Sequence, residues 1–502
     1  MRRPSVGIVD LVARRRTRSP YARLMHANYA SIMPQAVGVW AQELGCRVHY
    51  AVYTGFEDVE RLLPPDIDVL FVSAFTPAAY LAYALAHLHR ERGVVTVLGG
   101  PHARAYPADA RRHFDYVVGF TDRTLIHDLL RDAAPQGGEG VALAAAGQPA
   151  VLPGVRERWP FVRQVLAMTR LVGSVAMIGS LGCPYRCSFC VDAEVAYQPL
   201  PYDQLREDLA FLRARLKWPV VGWHDPNFGV RFADYMAVID DAVPPRSMRH
   251  VAECSLSLLG EPHLRELARR GFEGLTIGIE SWFDFNDKAR QGAEVGAGKV
   301  ERVGAQVALV TRYVPYVQTN FVWGLDHDEG PAPFDLTRRF LALAPAAFPA
   351  HNLFTAYGDS APLGTRLARD GRLLDVPFHA QDTSAIHNVR LRRYDAAEFY
   401  GLLADLARDC YSPRATARRL AANPHPLGRA ARWMGVVRSL GSAWRTAHYA
   451  RLRDRFARDP EFRAFAVGGE RAPRRMFRAA VARELGPRLF ARLPRDVAAY
   501  LA

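Results

Sequence analysis

With 502 residues, 49% of them hydrophobic, the chain has apolar material for two or three packed domains rather than one. No apolar run reaches the length of a membrane helix, and the opening MRRPSVGIVDLV runs into a strand pattern without a small-residue cleavage site, so a mature cytoplasmic protein is expected. The formal charge of +14 is almost all arginine, the lysines being Lys217, Lys288 and Lys299, and its excess lies after about residue 385; a solvated basic face explains it, with a functional anion-binding surface as the alternative.

Residues 1–135 alternate strand and helix patterns. Residues 5–12, 47–53, 68–75, 94–100 and 116–120 read as β-rich strands, and 24–45 and 77–90 as helices. Near-continuous apolar strands between amphipathic helices predict a parallel sheet covered on both faces, a doubly wound α/β domain of Rossmann or flavodoxin type. Such sheets bind ligands beyond the carboxyl ends of their strands, here the loops at 73–77 and 99–102. Residues 136–165, rich in Gly, Ala and Pro without a clear period, read as a linker.

A second strand–helix series fills residues 166–375. Its strands are expected at 174–180, 220–225, 250–256, 274–281, 317–325 and 351–357, with helices such as 202–216, 233–242 and 261–270 between them. Six βα units predict a partial TIM-type barrel with functional residues at the carboxyl ends of its strands. Residues 376–502 read as Arg- and Ala-rich helices broken once, by Pro424, Pro426 and Gly428.

The cysteines are Cys46, Cys183, Cys187, Cys190, Cys254 and Cys410. A disulfide framework belongs to small secreted chains, which this is not. Three of the six fall in Gly182-Cys183-Pro184-Tyr185-Arg186-Cys187-Ser188-Phe189-Cys190, just past the first barrel strand. Three thiolates on one short loop hold three irons of a 4Fe–4S cluster and leave the fourth open to a substrate. A structural zinc site with Cys254 as fourth ligand is the alternative, although zinc ribbons use two separated two-cysteine hairpins.

C-x-x-x-C-x-x-C with an aromatic before its third cysteine, after the first strand of a βα barrel, resembles the radical S-adenosylmethionine (SAM) superfamily. The resemblance implies that Cys183, Cys187 and Cys190 ligate a 4Fe–4S cluster whose open iron chelates SAM, that SAM is reductively cleaved to a 5′-deoxyadenosyl radical, and that Phe189 packs near the adenine. A small-molecule substrate and an electron donor such as flavodoxin or ferredoxin are the implied partners. The likeness continues along the barrel. His224-Asp225-Pro226-Asn227-Phe228 stands where the family meets the SAM amino group. Glu253-Cys254-Ser255 ends the third strand, and Gly278-Ile279-Glu280-Ser281 resembles the family's G-I-E-S element, whose Glu helps to hold SAM. Gly324-Leu325-Asp326-His327-Asp328 ends the fifth strand. Leu363-Gly364-Thr365 and Asp370-Gly371-Arg372-Leu373, after Tyr357-Gly358-Asp359, resemble a late P-G-T…E-G-R-L stretch.

Each residue also has a plain structural reading. Asp225 and Asn227 suit helix-entry turns, and Asp326 and Asp328 suit a solvated loop. Glu253 and Glu280 are costly to bury in apolar strands unless a cation or donor meets them. Tyr313, Tyr316, Trp323 and His327 suit the core as well as a pocket.

A Rossmann-like domain ahead of such a barrel resembles the cobalamin-binding class of the superfamily. The matching pieces are Asp68-Val69-Leu70-Phe71-Val72-Ser73-Ala74-Phe75-Thr76 and Val97-Leu98-Gly99-Gly100-Pro101-His102. The resemblance implies that Ser73, Thr76, Gly99 and Gly100 line a corrinoid site, the glycines admitting a bulky planar ligand. The D-x-H-x-x-G pattern of axial-histidine cobalamin proteins is absent, and Val118-Gly119-Phe120-Thr121-Asp122 replaces a V-G-E-G-E-like turn. The first expectation is therefore a cobalamin-dependent radical SAM enzyme that C-methylates a small molecule or natural product. The second is a radical SAM enzyme of another reaction class (cyclisation, rearrangement, oxidation) with an empty N-terminal domain. A non-catalytic metal- or nucleic-acid-binding protein is the third; the missing fourth clustered cysteine and the lack of basic stretches interleaved with aromatics weigh against it.

Overall fold

The computed structural model describes residues 3–170, 173–284, 294–358, 360–468 and 474–501, with the side chains of 474–476 left out; Asp359 of the late motif lies outside them. The N-terminal unit runs β1 (Ser5–Leu11), α1 (Pro20–Met25), α2 (Ile32–Glu43), β2 (Arg47–Tyr53), β3 (Val69–Ala74), α3 (Ala79–Arg90), β4 (Val95–Gly99), α4 (Pro101–Ala105), α5 (Pro107–Ala110), β5 (Tyr116–Val118), α6 (Arg123–Asp132) and β6 (Val141–Leu143). Its strands pair in parallel in the order β2-β1-β3-β4-β5-β6. The order reverses between β1 and β3, which opens a crevice at their carboxyl ends.

The expected helix at 24–45 is broken. Its backbone turns out of helix at Ala30 and Ser31, and the Ser31 N–H bonds the Asp10 carboxylate at 2.6 Å. The segment 136–165, read as linker, holds the edge strand β6 and most of α7 (Val155–Met168). β6 is too short and too exposed to leave a hydrophobic period. α7 places Phe161 and Val165 in one N-terminal core, with α2 and α6.

The barrel continues with β7 (Ser174–Met177), β8 (Ser180–Leu181), β9 (Gln198–Pro199), α8 (Tyr202–Arg215), β10 (Val220–Trp223), α9 (Phe232–Ala242), β11 (Arg249–Cys254), α10 (Glu261–Arg270), β12 (Phe272–Glu280), α11 (Ala297–Tyr313), β13 (Tyr316–Trp323), α12 (Ala332–Leu343), β14 (Phe348–Leu353) and α13 (Pro362–Arg369). Six strands pair in parallel in the order β7-β10-β11-β12-β13-β14, an open barrel wall. Alternate residues such as Met177, Trp223, Cys254 and Ile277 point into the apolar layer beneath the helices.

The remaining helices are α14 (Ala396–Tyr411), α15 (Pro413–Ala422), α16 (Met434–Ser442), α17 (Trp444–Arg458), α18 (Pro460–Ala466), α19 (Arg474–Phe490) and α20 (Arg495–Leu501). They divide between the two sheets. Phe399, Tyr400, Phe456 and Phe462 join the barrel core. Val481, Leu489, Leu493, Val497 and Leu501 join α3 in the other N-terminal core. The C-terminus thus returns to cover the first sheet.

Candidate active site

The cysteine loop leaves β8 and returns by β9; the two short strands pair antiparallel through Ser180–Pro199 and Leu181–Gln198 and frame residues 182–197. Gly182 opens the loop at φ +65°, where a Cβ would lie 2.2 Å from the Ala196 carbonyl oxygen, so only glycine makes this turn. Cys183, Cys187 and Cys190 are half-buried. The Asp192 N–H donates to Cys190 Sγ at 3.4 Å, and the Cys190 N–H to the Cys187 carbonyl at 2.9 Å. Three contacts tie the loop down. Tyr185 Oη meets Ser257 Oγ at 3.1 Å, the Leu363 N–H donates to the Ser188 carbonyl at 2.8 Å, and Arg104 from the N-terminal unit pairs with Asp192 at 3.3 Å while donating to the Val191 carbonyl at 3.1 Å.

Among the described residues no three His, Cys, Asp or Glu side chains gather as a single metal ion would require. A cubane sets no such demand, because each thiolate grips a different iron. Cys254, the fourth ligand of the zinc alternative, is buried in the barrel's apolar layer opposite Ile277 of β12. Phe189 packs with Leu325, Phe354 and Leu363 at the carboxyl ends of β13 and β14.

The strand-end residues fall into two groups. Asp225 is buried and accepts from the Gly179 N–H, from Ser180 Oγ at 2.8 Å and from Tyr235 Oη. Burial raises its pKa and these donors oppose the rise. Asp225 therefore fastens the approach to the cysteine loop to β10 and α9. Asn227 Oδ1 accepts from the Ser255 N–H at 2.8 Å and from Ser255 Oγ at 3.1 Å, joining the ends of β10 and β11, and its buried Nδ2 has no partner among the described residues. An unpaired buried donor is costly unless a ligand satisfies it. Glu253 is exposed on β11.

Glu280 ends β12 at a register irregularity and has φ +65°, although it is buried and not glycine. A bulge with left-handed backbone re-aims a side chain at the expense of strain, the usual mark of a working position. Lys299 of α11, missed from the sequence, lies fully buried beside it and donates to the Ser281 carbonyl at 2.6 Å and the Asp284 carbonyl at 2.9 Å; burial lowers its pKa to about 8, opposed by the carboxylates of Asp284 and Glu280. Asp326 pairs bidentately with Arg372 at 2.6 and 2.7 Å. Asp328 is buried, and burial lifts its pKa to about 7.

A cavity of ≈ 340 Å³ occupies the N-terminal switch point and extends to the cysteine loop, with Ser73, Gly99, Gly100, Phe120, Gly182 and Asp192 among its walls. A Cβ on Gly99 would meet nothing within 4 Å, so the space above the β4 end is open to a flat group. Gly100, at φ +87°, instead lets its loop approach Ala74, whose backbone N and O would lie 3.0 Å from a Cβ. Phe75 is 54% exposed at the cavity rim. Thr76 does not line this space. It is buried with its Oγ1 3.3 Å from His102 Nδ1, because the chain turns inward into a 3-10 helix after Phe75. Arg104, stacked 4.4 Å above Phe120, bridges cavity and cysteine loop; no local sequence signal marks it.

No family model matches the chain. It is 23% identical over 296 residues to a bacteriochlorophyllide d C-12(1)-methyltransferase of Chlorobaculum tepidum, an alignment covering 58% of this chain and 64% of that protein. Among solved structures it resembles TsrM, a radical SAM methyltransferase from Kitasatospora setae seen with tryptophan and a SAM analogue, and also with cobalamin and a [4Fe-4S] cluster. The TM-score is 0.55 at 15% identity over 91% of this chain, with 99% of TsrM covered in the complex with tryptophan and the SAM analogue. The cobalamin-dependent SAM radical enzyme OxsB aligns with TM-score 0.54 at 14% identity, over 99% of this chain and 81% of OxsB. A switch-point α/β domain, an open six-stranded barrel wall and a returning helical C-terminus together give this chain the fold of the cobalamin-dependent radical SAM enzymes.

Proposed function

We propose that the protein is a cobalamin-dependent radical SAM enzyme that methylates carbon in a small molecule or natural product. One observation carries the reading: the loop bearing Cys183, Cys187 and Cys190 forms part of the wall of the switch-point cavity, through Gly182 and Asp192. A group held by the thiols therefore lies next to the cavity wall. The donor set suits a cubane with one open corner, and the open space over Gly99 suits a flat macrocycle. When bound, the cluster supplies the electron that cleaves SAM and cobalamin carries the methyl group.

The chain's own residues position these groups. Cys183, Cys187 and Cys190 are the cluster ligands. The free Asn227 Nδ2, the re-aimed Glu280 and Phe189 are the SAM contacts, with Glu253 at the barrel mouth and Ser255 holding Asn227 in place. Asp225 acts as a positioning residue, since its oxygens already serve Gly179, Ser180 and Tyr235. Ser73, Gly99 and Gly100 contact the corrinoid. A flavodoxin or ferredoxin delivers the electron in the cytoplasm. Among the described residues no helix is long and apolar enough to cross a membrane.

The test is anaerobic purification, reconstitution with iron and sulfide, and addition of hydroxocobalamin. A 4Fe–4S electron paramagnetic resonance signal perturbed by SAM, and corrinoid retained on gel filtration, are expected. Cys187→Ala should lose the signal and keep the fold. Corrinoid passing straight through while SAM still perturbs the cluster would leave the second expectation, a radical SAM enzyme with an empty N-terminal domain.

A further inference from the structure

Between Asp409 and Asp454 the sequence holds no acidic residue and nine arginines. The same stretch exposes large apolar side chains: Leu427 is 61% exposed, Trp433 43%, Leu440 73% and Trp444 47%. They form one surface. Trp433 Nε1 donates to the Leu427 carbonyl at 2.9 Å. Trp433 is the N-cap of α16, and Leu440 and Trp444 follow at i+7 and i+11. Ala443, between α16 and α17, keeps helical angles (φ −58°, ψ −31°) and its N–H reaches the Ser439 carbonyl at 2.9 Å, so the periodicity carries through. Along α17 the same spacing brings up Arg451, Arg455 and Arg458, all exposed.

We propose that this stripe is a docking face for an anionic lipid surface, with Trp433, Leu440 and Trp444 entering the headgroup layer and the flanking arginines pairing with lipid phosphates. Tryptophan and leucine at helical spacing beside arginines, with no carboxylate between Asp409 and Asp454 and with Asp454 itself paired to Arg453 at 2.9 Å, is the chemistry of an interfacial helix. Position disfavours an electron donor. Asn423 Nδ2 donates to the Pro315 carbonyl at 2.8 Å and Arg419 Nε to the Ala347 carbonyl at 3.0 Å, just ahead of β13 and β14. The stripe therefore belongs to the amino ends of the barrel strands, while the cysteine loop lies at their carboxyl ends. A second copy of the chain would present the same positive charge and be repelled. The inference is independent of the reaction proposed above.

Flotation of the full chain with phosphatidylcholine vesicles, with and without phosphatidylglycerol, tests it. Capture by the anionic vesicles alone is expected, weakening roughly tenfold or more at high salt. Trp433→Ser with Leu440→Ser should weaken capture roughly tenfold without changing the thermal melt, both side chains being exposed. Arg451→Glu with Arg458→Glu should abolish the preference for anionic lipid. No capture, equal capture by neutral vesicles, capture that either pair leaves intact, or binding only to a polynucleotide or an acidic protein at the same salt each overturns it.

Discussion

Asp10, next to last in β1, has its carboxyl buried against the Ser31 N–H, and burial lifts its pKa to about 7 from 3.8. Between about pH 4 and 7 the folded chain keeps a proton that the unfolded chain has released, so stability falls as pH rises. The contribution is complete below the unfolded pKa and is lost as pH passes the folded one. Asp10→Asn keeps an acceptor for Ser31 and removes the charge. Its stability relative to the native chain should grow with pH by up to ~4 kcal/mol, levelling off above about pH 7, as read from denaturant melts across the range. An advantage that shrinks with rising pH would contradict this. At the same scale the sequence displayed the three cysteines by spacing alone, and Ser73, Gly99 and Gly100 do line the cavity. Arg104, Lys299 and the orphaned amide of Asn227 were not legible, because each acquires its meaning from groups brought near by the fold.

Among the elements, β12 shows most directly how the site bends the chain. Its register slips between Gly278 and Glu280, and Glu280 takes a backbone conformation that suits glycine. Left-handed backbone costs a non-glycine residue roughly 1–2 kcal/mol. Glu280→Gly should therefore keep or raise the melting temperature while weakening SAM binding at least roughly tenfold in an anaerobic titration. A variant that melts several degrees lower and still binds SAM as tightly would return Glu280 to a structural role. The eleven strands expected from the sequence were visible as apolar β-rich runs, their ends displaced by a few residues, because burial on both faces leaves a continuous signal. β6 and the break before α2 were not. The first has too few apolar contacts to read, and the second depends on a carboxylate about twenty residues upstream.

The whole molecule is closed by its last helices. Val481, Leu489, Leu493, Val497 and Leu501 lie in the same core as α3 and the interior of the first sheet. A chain ending at Gly468 would expose that face, losing roughly 1.5–3 kcal/mol for each large side chain no longer buried. Calorimetry should show the N-terminal unit melting early or already unfolded in the shortened chain, with the barrel transition retained. An unchanged melt would mean that the returning helices do not support the sheet.

By itself the sequence determined the alternation of strand and helix, the division into two parallel sheets and the trio of thiols, because periodicity and spacing are local and survive without contacts. The tertiary structure decided that the thiol loop would face the switch-point crevice, that Arg104 would join them, and that the last helices would return to the first sheet. Those facts rest on pairings between residues tens to hundreds of positions apart, whose energies exist only once the chain has been brought together.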